Sequence, residues 1–179
     1  PHPPTFLSAV AQGTSRIRLG VAGAVLPLHR PIEVAEQYAM ADVISGGRID
    51  FGIGKGSEPV EYRKFGASQD EATQRFHESA EIIRQAWSDQ PVNFRGEFYH
   101  YENVNILPKP VQRPHSPIWV GATRNEDTFR WAGEQGYDLM TIPFVHPSTD
   151  ALRELVKIYR DALARSGHDF VGRQVLGKF

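Results

Sequence analysis

Ser45-Gly46-Gly47-Arg48-Ile49-Asp50-Phe51-Gly52-Ile53-Gly54-Lys55-Gly56 joins a helix stop, a short strand and a glycine-rich exit. Upstream, Pro31 suits a first helical turn, and Ile32, Ala35, Ala39 and Val43 recur at three- and four-residue steps until the serine and glycines end the pattern. Ile49, Phe51 and Ile53 alternate as strand residues do. A helix followed by a buried strand with glycines at its carboxyl end is the unit of a parallel α/β sheet, and ligands bind at such strand ends in barrels and open sheets alike. The spacing is not a nucleotide fingerprint: Gly52-x-Gly54-x-x ends on Ser57, and no Gly-Lys-Ser/Thr closes the loop. A tight turn is the plain alternative.

The cycle extends in both directions. Arg16-Ile17-Arg18-Leu19-Gly20-Val21 reads as a preceding strand. A long helix is predicted from about Gln69 to Ser88, with the stripe Ala72, Phe76, Ala80, Ile83 and Trp87. Residues 92–101 alternate apolar and polar around Arg95-Gly96 and predict a hairpin. Pro108, Pro110, Pro114 and Pro117 are expected to hold the chain extended into a third strand, Ile118 to Ala122. A third helix is capped by Asn125 and ended by Gly136. A fourth strand, Leu139 to Phe144, leads to a helix capped by Ser148 or Thr149 with Leu152, Leu155, Tyr159 and Leu163 on one face. The order βαβαβαβα implies parallel strands. Length favours a doubly wound sheet, because a closed eight-stranded barrel takes roughly 250 residues. Yet Pro1 is not Met, and Arg173 to Phe179 reads as a strand just beginning, so a fragment of a larger barrel stays open.

Composition narrows the classes. The net charge of −1 offers no basic field for a phosphate backbone, so nucleic acid is not an expected partner. No apolar run has the length of a membrane span and no signal-peptide pattern opens the chain, which predicts a soluble, cytoplasmic protein without membrane partners. The absence of Cys removes disulfides and thiolate chemistry, and the seven His show no metal-ligand spacing, so no metal is expected. One domain spanning 1–179 is the simplest organisation.

Three stretches carry candidate sites. Gly54 and Lys55 leave a strand end, where backbone approaches a ligand and an ammonium meets a phosphate. Gly121-Ala122-Thr123-Arg124 precedes a helix start, where free amides, the Thr123 hydroxyl and the Arg124 fork suit an anion; ordinary capping beside a solvated Arg is the alternative. Gly20-Val21-Ala22-Gly23-Ala24-Val25 leaves room for something flat, unless its small residues only serve close packing. His29 and His146 follow strands and border any pocket there; the other His read as solvated.

Taken together, Arg16–Gly20, Val25-Leu26-Pro27-Leu28, Pro31–Glu36, Ser45-Gly46-Gly47-Arg48, Phe51-Gly52-Ile53-Gly54, Leu107–Gln112 and Pro117-Ile118-Trp119-Val120 resemble the bacterial luciferase-like flavin-dependent monooxygenases, alkanal monooxygenase among them, over nearly the whole chain. The resemblance implies part of a (β/α)8 TIM barrel, about strands 3 to 6 and the start of 7, with the hairpin as an excursion. It implies a longer native chain, since the isolated segment would expose sheet edges and an apolar interior and should be unstable; a cooperative, soluble, monomeric melt would count against this.

It further implies reduced FMN, supplied by a flavin reductase, at the carboxyl end of the strands. The ring would lie near Ala22, Gly23 and Gly54. Thr123 and Arg124, with Gly121 and Ala122, fall in the family's phosphate loop, and Lys55 stands where relatives often carry an Arg facing the phosphate. The Cys of bacterial luciferase at the position of Gly54 is absent, which argues against light emission. The implied reaction is oxygen activation by reduced flavin and oxidation of a small organic substrate, an aldehyde in the closest relatives. The family's best-known catalytic His precedes Pro1, so no catalytic residue is named. A homodimer is the family expectation. The alternatives are an F420-dependent oxidoreductase using no oxygen, a non-catalytic flavin-binding barrel relative, and an unrelated doubly wound nucleotide-binding domain.

Overall fold

A computed structural model of the chain describes residues 2–168 and 175–176. The chain divides into two compact units, Pro1–Ser116 and Pro117–Phe179, each described by itself.

The first unit opens with α1, Pro3–Gln12, a helix the sequence pattern did not announce. Prolines are tolerated there because the first-turn amides have no intrahelical partner to lose. Leu7 and Ala11 bury one side of it. The segment read as a single strand is two short ones. β1, Leu19–Gly20, lies parallel to β3, Ile49–Gly54, with Leu19 opposite Ile49 and Gly20 opposite Asp50; β2, Ala24–Val25, resumes with Ala24 opposite Ile53 and Val25 opposite Gly54. From Gly20 to Ala24 is four steps, while Asp50 to Ile53 is three, so one extra residue is accommodated between β1 and β2 as in a bulge. Residues 21–23 therefore leave the ladder.

α2, Pro31–Ser45, ends at Gly46 with φ 66°. Its buried face keeps Ala35 and Ala39 of the predicted stripe but is broader and rotated at its end: Val34, Tyr38, Ala41, Asp42 and Ser45 are also inside, while Val43 is exposed. The reason is Asp42, fully buried, whose carboxylate accepts hydrogen bonds from the amides of Val111 (2.9 Å) and Gln112 (3.1 Å) and from Gln112 Nε2 (2.8 Å). Satisfying a buried carboxylate fixes the rotation of the helix more firmly than one aliphatic side chain does. Arg48 has a comparable role. Its guanidinium donates to the carbonyls of Ser45, Ala11, Thr14 and Ile17 and to the Thr14 hydroxyl, tying the end of α1 to the start of β3.

A short helix, α3, Pro59–Phe65, was also not anticipated; α4, Ala72–Ala86, matches the predicted long helix, with Ala72, Phe76, Ala80, Ile83 and Trp87 all buried. Trp87 stands edge-on to Phe51 at 5.1 Å and donates from Nε1 to the Ala35 carbonyl at 2.9 Å. The hairpin is antiparallel, β4 Val92–Arg95 with β5 His100–Val104, and its turn closes between Gly96 and Tyr99. Residues 107–116 bend repeatedly where extended chain was expected, with cis peptides at Leu107–Pro108 and Arg113–Pro114.

Buried Glu78 of α4 holds the hairpin turn. Its carboxylate accepts from the amides of Glu97 (2.8 Å), Phe98 (3.1 Å) and Tyr99 (3.2 Å) and from Gln74 Nε2 (3.1 Å). Burial pushes the carboxyl upward, but the donated bonds outweigh it and hold the group below the ordinary Glu range. A lowered folded-state value means that the stabilisation is complete above the unfolded value, about pH 4.3, and is lost as pH falls through the folded one. Protection of the Glu97, Phe98 and Tyr99 amides, measured as exchange relative to the intrinsic rate at each pH, should therefore fall in acid below about pH 4.3, and Glu78→Gln should flatten that dependence. Equal acid sensitivity in both proteins would refute this role.

In the second unit β6, Ile118–Gly121, β7, Asp138–Met140, and β8, Val175–Leu176, run parallel, with Val120 opposite Leu139 and Leu139 opposite Val175. β7 is shorter than predicted, since Pro143–Val145 forms a 3-10 turn: proline at 143 cannot donate to a ladder. Asn125 caps α5, Glu126–Glu134, accepting from Asp127 and Thr128, and Ser148 caps α6, Thr149–Arg165. Leu155, Tyr159 and Leu163 are buried as expected, and Leu152 only in part. Gly133 lets the two helices approach: a Cβ there would lie 2.9 Å from Ala162 Cβ. The predicted strand from 173 falls within the described residues only at 175–176. Among the described residues, no helix is long and apolar enough to cross a membrane, and no group of three His, Cys, Asp or Glu is placed to hold a metal.

Candidate active site

In the first unit, three of the sequence-selected residues gather at the carboxyl end of β3. The Ala22–Gly23 peptide, which is cis, belongs to the segment outside the ladder. Gly23 lies directly over the backbone of Gly52 and Ile53, so closely that a Cβ would stand 2.9 Å from both Gly52 C and Ile53 N. Only glycine permits this approach. Ala22 and Gly23 are nevertheless exposed on their outer side. Gly54 is half-buried, and a Cβ added there would meet nothing nearer than the Gly56 amide at 4.0 Å. The result is a surface of backbone and one methyl group, without side-chain bulk.

Lys55 follows on a backbone pinned from two sides. The buried Tyr62 hydroxyl donates to the Lys55 carbonyl, and Gly56, at φ 79°, packs so tightly that a Cβ would stand 2.6 Å from Val25 Cγ1. Burial raises the Tyr62 phenol above its ordinary value, which keeps it a protonated donor. The ammonium of Lys55 reaches Thr73 Oγ1 of α4 at 3.4 Å. His29 stacks edge-on against the exposed Phe65 at 5.7 Å, and burial lowers its pKa.

In the second unit Gly121 ends β6, and the buried Ala122 donates its amide to the Met140 carbonyl at 2.9 Å. Thr123 and Arg124 are exposed just before α5. Arg124 Nε donates to the Val145 carbonyl at 2.8 Å, so an incoming anion would be gripped end-on by its two terminal nitrogens and not by the Nε side of the fork. His146 contacts Thr141 Oγ1 at 3.1 Å through Nε2. Asp42, Glu78 and Tyr62 were missed in the sequence because a buried polar residue has no periodic signature, and Arg48 was quoted there without a role. The signal available was position: Asp42 and Glu78 interrupt apolar helix faces.

The residues match a family model described as luciferase-like monooxygenase over residues 1–175. The flavin-dependent trigonelline monooxygenase, oxygenase component, of Acinetobacter baylyi is 31% identical over 90% of this chain and 45% of its own length. The F420-dependent glucose-6-phosphate dehydrogenase of Amycolatopsis mediterranei is 28% identical over 85% of this chain and 50% of its own. Among solved structures, the monooxygenase RslO1 of Streptomyces bottropensis superposes with a TM-score of 0.92 at 35% identity, covering 99% of this chain and 54% of that one. The chain spans about half the length of the relatives it matches. Its fold class is α/β, part of a (β/α)8 barrel, as expected from the sequence. Motif order, strand register and these similarities converge: the chain belongs to the luciferase-like monooxygenase family.

Proposed function

We propose that the whole protein is a flavin-dependent oxidoreductase that uses reduced FMN, delivered by a separate reductase, and molecular oxygen to oxidise a small organic molecule such as an aldehyde. The observation that carries this reading is the side-chain-free surface at Ala22, Gly23 and Gly54, which suits a flat ring lying against backbone. Flavin, when bound, supplies the oxygen chemistry. The chain's own residues bind and orient: the small residues at the end of β3 admit the ring and exclude water from its face. Gly121, Ala122, Thr123 and Arg124 are assigned to the phosphate, with donors from the α5 start, the Thr123 hydroxyl and the Arg124 terminus. Lys55 lends positive charge at the β3 exit. A relative named as an oxygenase component supports a reductase partner, and a homodimer completes the proposal.

A second reading, an F420-dependent dehydrogenase, is favoured by the relative of that name. The two separate by experiment. The full-length chain should bind FMN more tightly than F420 and consume oxygen when supplied with reduced FMN and an aldehyde panel; F420 preference without oxygen uptake would reverse the assignment. Replacing both Thr123 and Arg124 by Ala should weaken FMN by about 1.5–3 kcal/mol for each charged hydrogen bond lost, roughly 10- to 150-fold, with riboflavin unaffected. Unchanged FMN affinity would move the phosphate elsewhere.

A further inference from the structure

The loop leaving β3 is held at three points. The Lys55 carbonyl accepts from the Tyr62 hydroxyl of α3. Gly56 is wedged between two side chains, since a Cβ there would stand 2.6 Å from Val25 Cγ1 and 3.6 Å from Tyr62 Cε2. The Ser57 carbonyl accepts from Gln69 Nε2 at 3.3 Å. Tyr62 is fixed in turn: it is buried, and its own carbonyl accepts from the Ala67 amide at 3.0 Å as α3 ends. A planar trans peptide points its carbonyl and its N–H in opposite directions, and the Lys55–Gly56 peptide is trans. With the carbonyl turned onto Tyr62, the Gly56 N–H is turned away from that hydroxyl. Gly56 is half-buried, and among the described residues no acceptor pairs with its amide. That nitrogen is also the atom nearest to the space a Gly54 side chain would fill, 4.0 Å from the added Cβ. A backbone donor left unpaired in a pinned loop is costly unless water or a ligand accepts from it.

We propose that the Gly56 N–H donates a hydrogen bond to a carbonyl oxygen on the edge of the planar ring seated at Gly54, with Tyr62 as the positioning residue that aims it. This rests on the reading of Ala22, Gly23 and Gly54 as the ring surface. FMN and F420 share a pyrimidinedione edge, so the donor suits either cofactor. A backbone amide adds a polar contact without filling the space over Gly54, as a side-chain donor would. Because Tyr62 and Val25 hold the peptide beforehand, little conformational freedom is lost when the ring arrives.

The test follows exchange of the Gly56 amide in the isotope-labelled full-length chain, relative to its intrinsic rate, without ligand and at saturation with FMN, F420 or lumiflavin, the ring without its ribityl phosphate. Little protection is expected without ligand, and at least about tenfold slower exchange with FMN or lumiflavin bound. Tyr62→Phe, which removes only the hydroxyl, should weaken FMN about three- to tenfold, as for one lost hydrogen bond, and abolish most of the protection. Saturable FMN binding that leaves Gly56 exchange unchanged would overturn the proposal and spare the cofactor reading. So would full protection in FMN-saturated Tyr62→Phe, or protection by FMN but not by bound lumiflavin, since that sets the amide against the phosphate. Should Tyr62→Phe fail to fold, the wild-type comparison of free and bound states still decides the donor. Protection by F420 without FMN binding would keep the donor and move the cofactor assignment; if none of the ligands saturates, both fall.

Discussion

Asp42→Ala in the full-length chain is expected to lower folding stability by about 3 kcal/mol or more, at the low end of the cost of about 1–3 kcal/mol for each of three stranded donors because these are only part-buried. The carboxylate is fully buried and gathers three donors from residues 111 and 112, remote in sequence, onto α2. Alanine takes their shared acceptor from Val111 N, Gln112 N and Gln112 Nε2, and only the part-exposed side of the loop admits water in its place. The Gln112 side chain also donates to the Ile49 carbonyl at 2.7 Å, so the loss propagates to the first residue of β3. Asp42→Asn keeps one acceptor oxygen and should fall between wild type and Ala. Urea unfolding monitored at Trp87, beside Phe51, would report the change. A loss under about 0.5 kcal/mol would mean that the loop satisfies its amides elsewhere.

Gly23→Val should have the second large effect, and on ligand binding as well as folding. The added Cβ would stand 2.9 Å from two backbone atoms of β3, which cannot rotate away as a side chain could. β2 must separate from β3, at about 1–3 kcal/mol or more by analogy with overpacked cores. With it goes the surface formed by Ala22, Gly23 and Gly54, so FMN affinity should fall at least about 100-fold, the loss of nearly 3 kcal/mol of contact. Gly54→Leu is the informative contrast. A Cβ there meets nothing closer than 4.0 Å, so stability should stay within about 0.5 kcal/mol while the side chain occupies the proposed ring position and binding still fails. Calorimetric melting and flavin fluorescence separate the two outcomes. Equal stability losses in both variants would remove the distinction between a packing glycine and a ligand-facing one.

The repeating helix–strand order was legible because each element carries a signal of its own: the α4 stripe, the Asn125 and Ser148 caps, and the glycines ending α2, α5 and α6. What escaped has a common cause. α1 begins with His2-Pro3-Pro4, and prolines that terminate helices elsewhere are neutral in a first turn, so local composition pointed the wrong way. On α2 the expected Ala35 and Ala39 are buried but Val43 is not, because periodicity counts apolar residues, whereas Asp42 is inside for the sake of donors 69 and 70 residues later. The extra residue between β1 and β2 is invisible without the partner register. In the candidate site, small residues at strand ends singled out Ala22, Gly23 and Gly54, and the structure gives them different surroundings. That Gly23 faces backbone while Gly54 faces open space emerges only from their neighbours.

Amide chemical-shift mapping of FMN onto the isotope-labelled full-length protein tests the central assignment most directly. The account predicts that the largest shifts within residues 1–116 fall on Ala22, Gly23 and Gly54, saturating with flavin. Saturable binding that leaves those three amides unmoved, and perturbs a different surface, would contradict it.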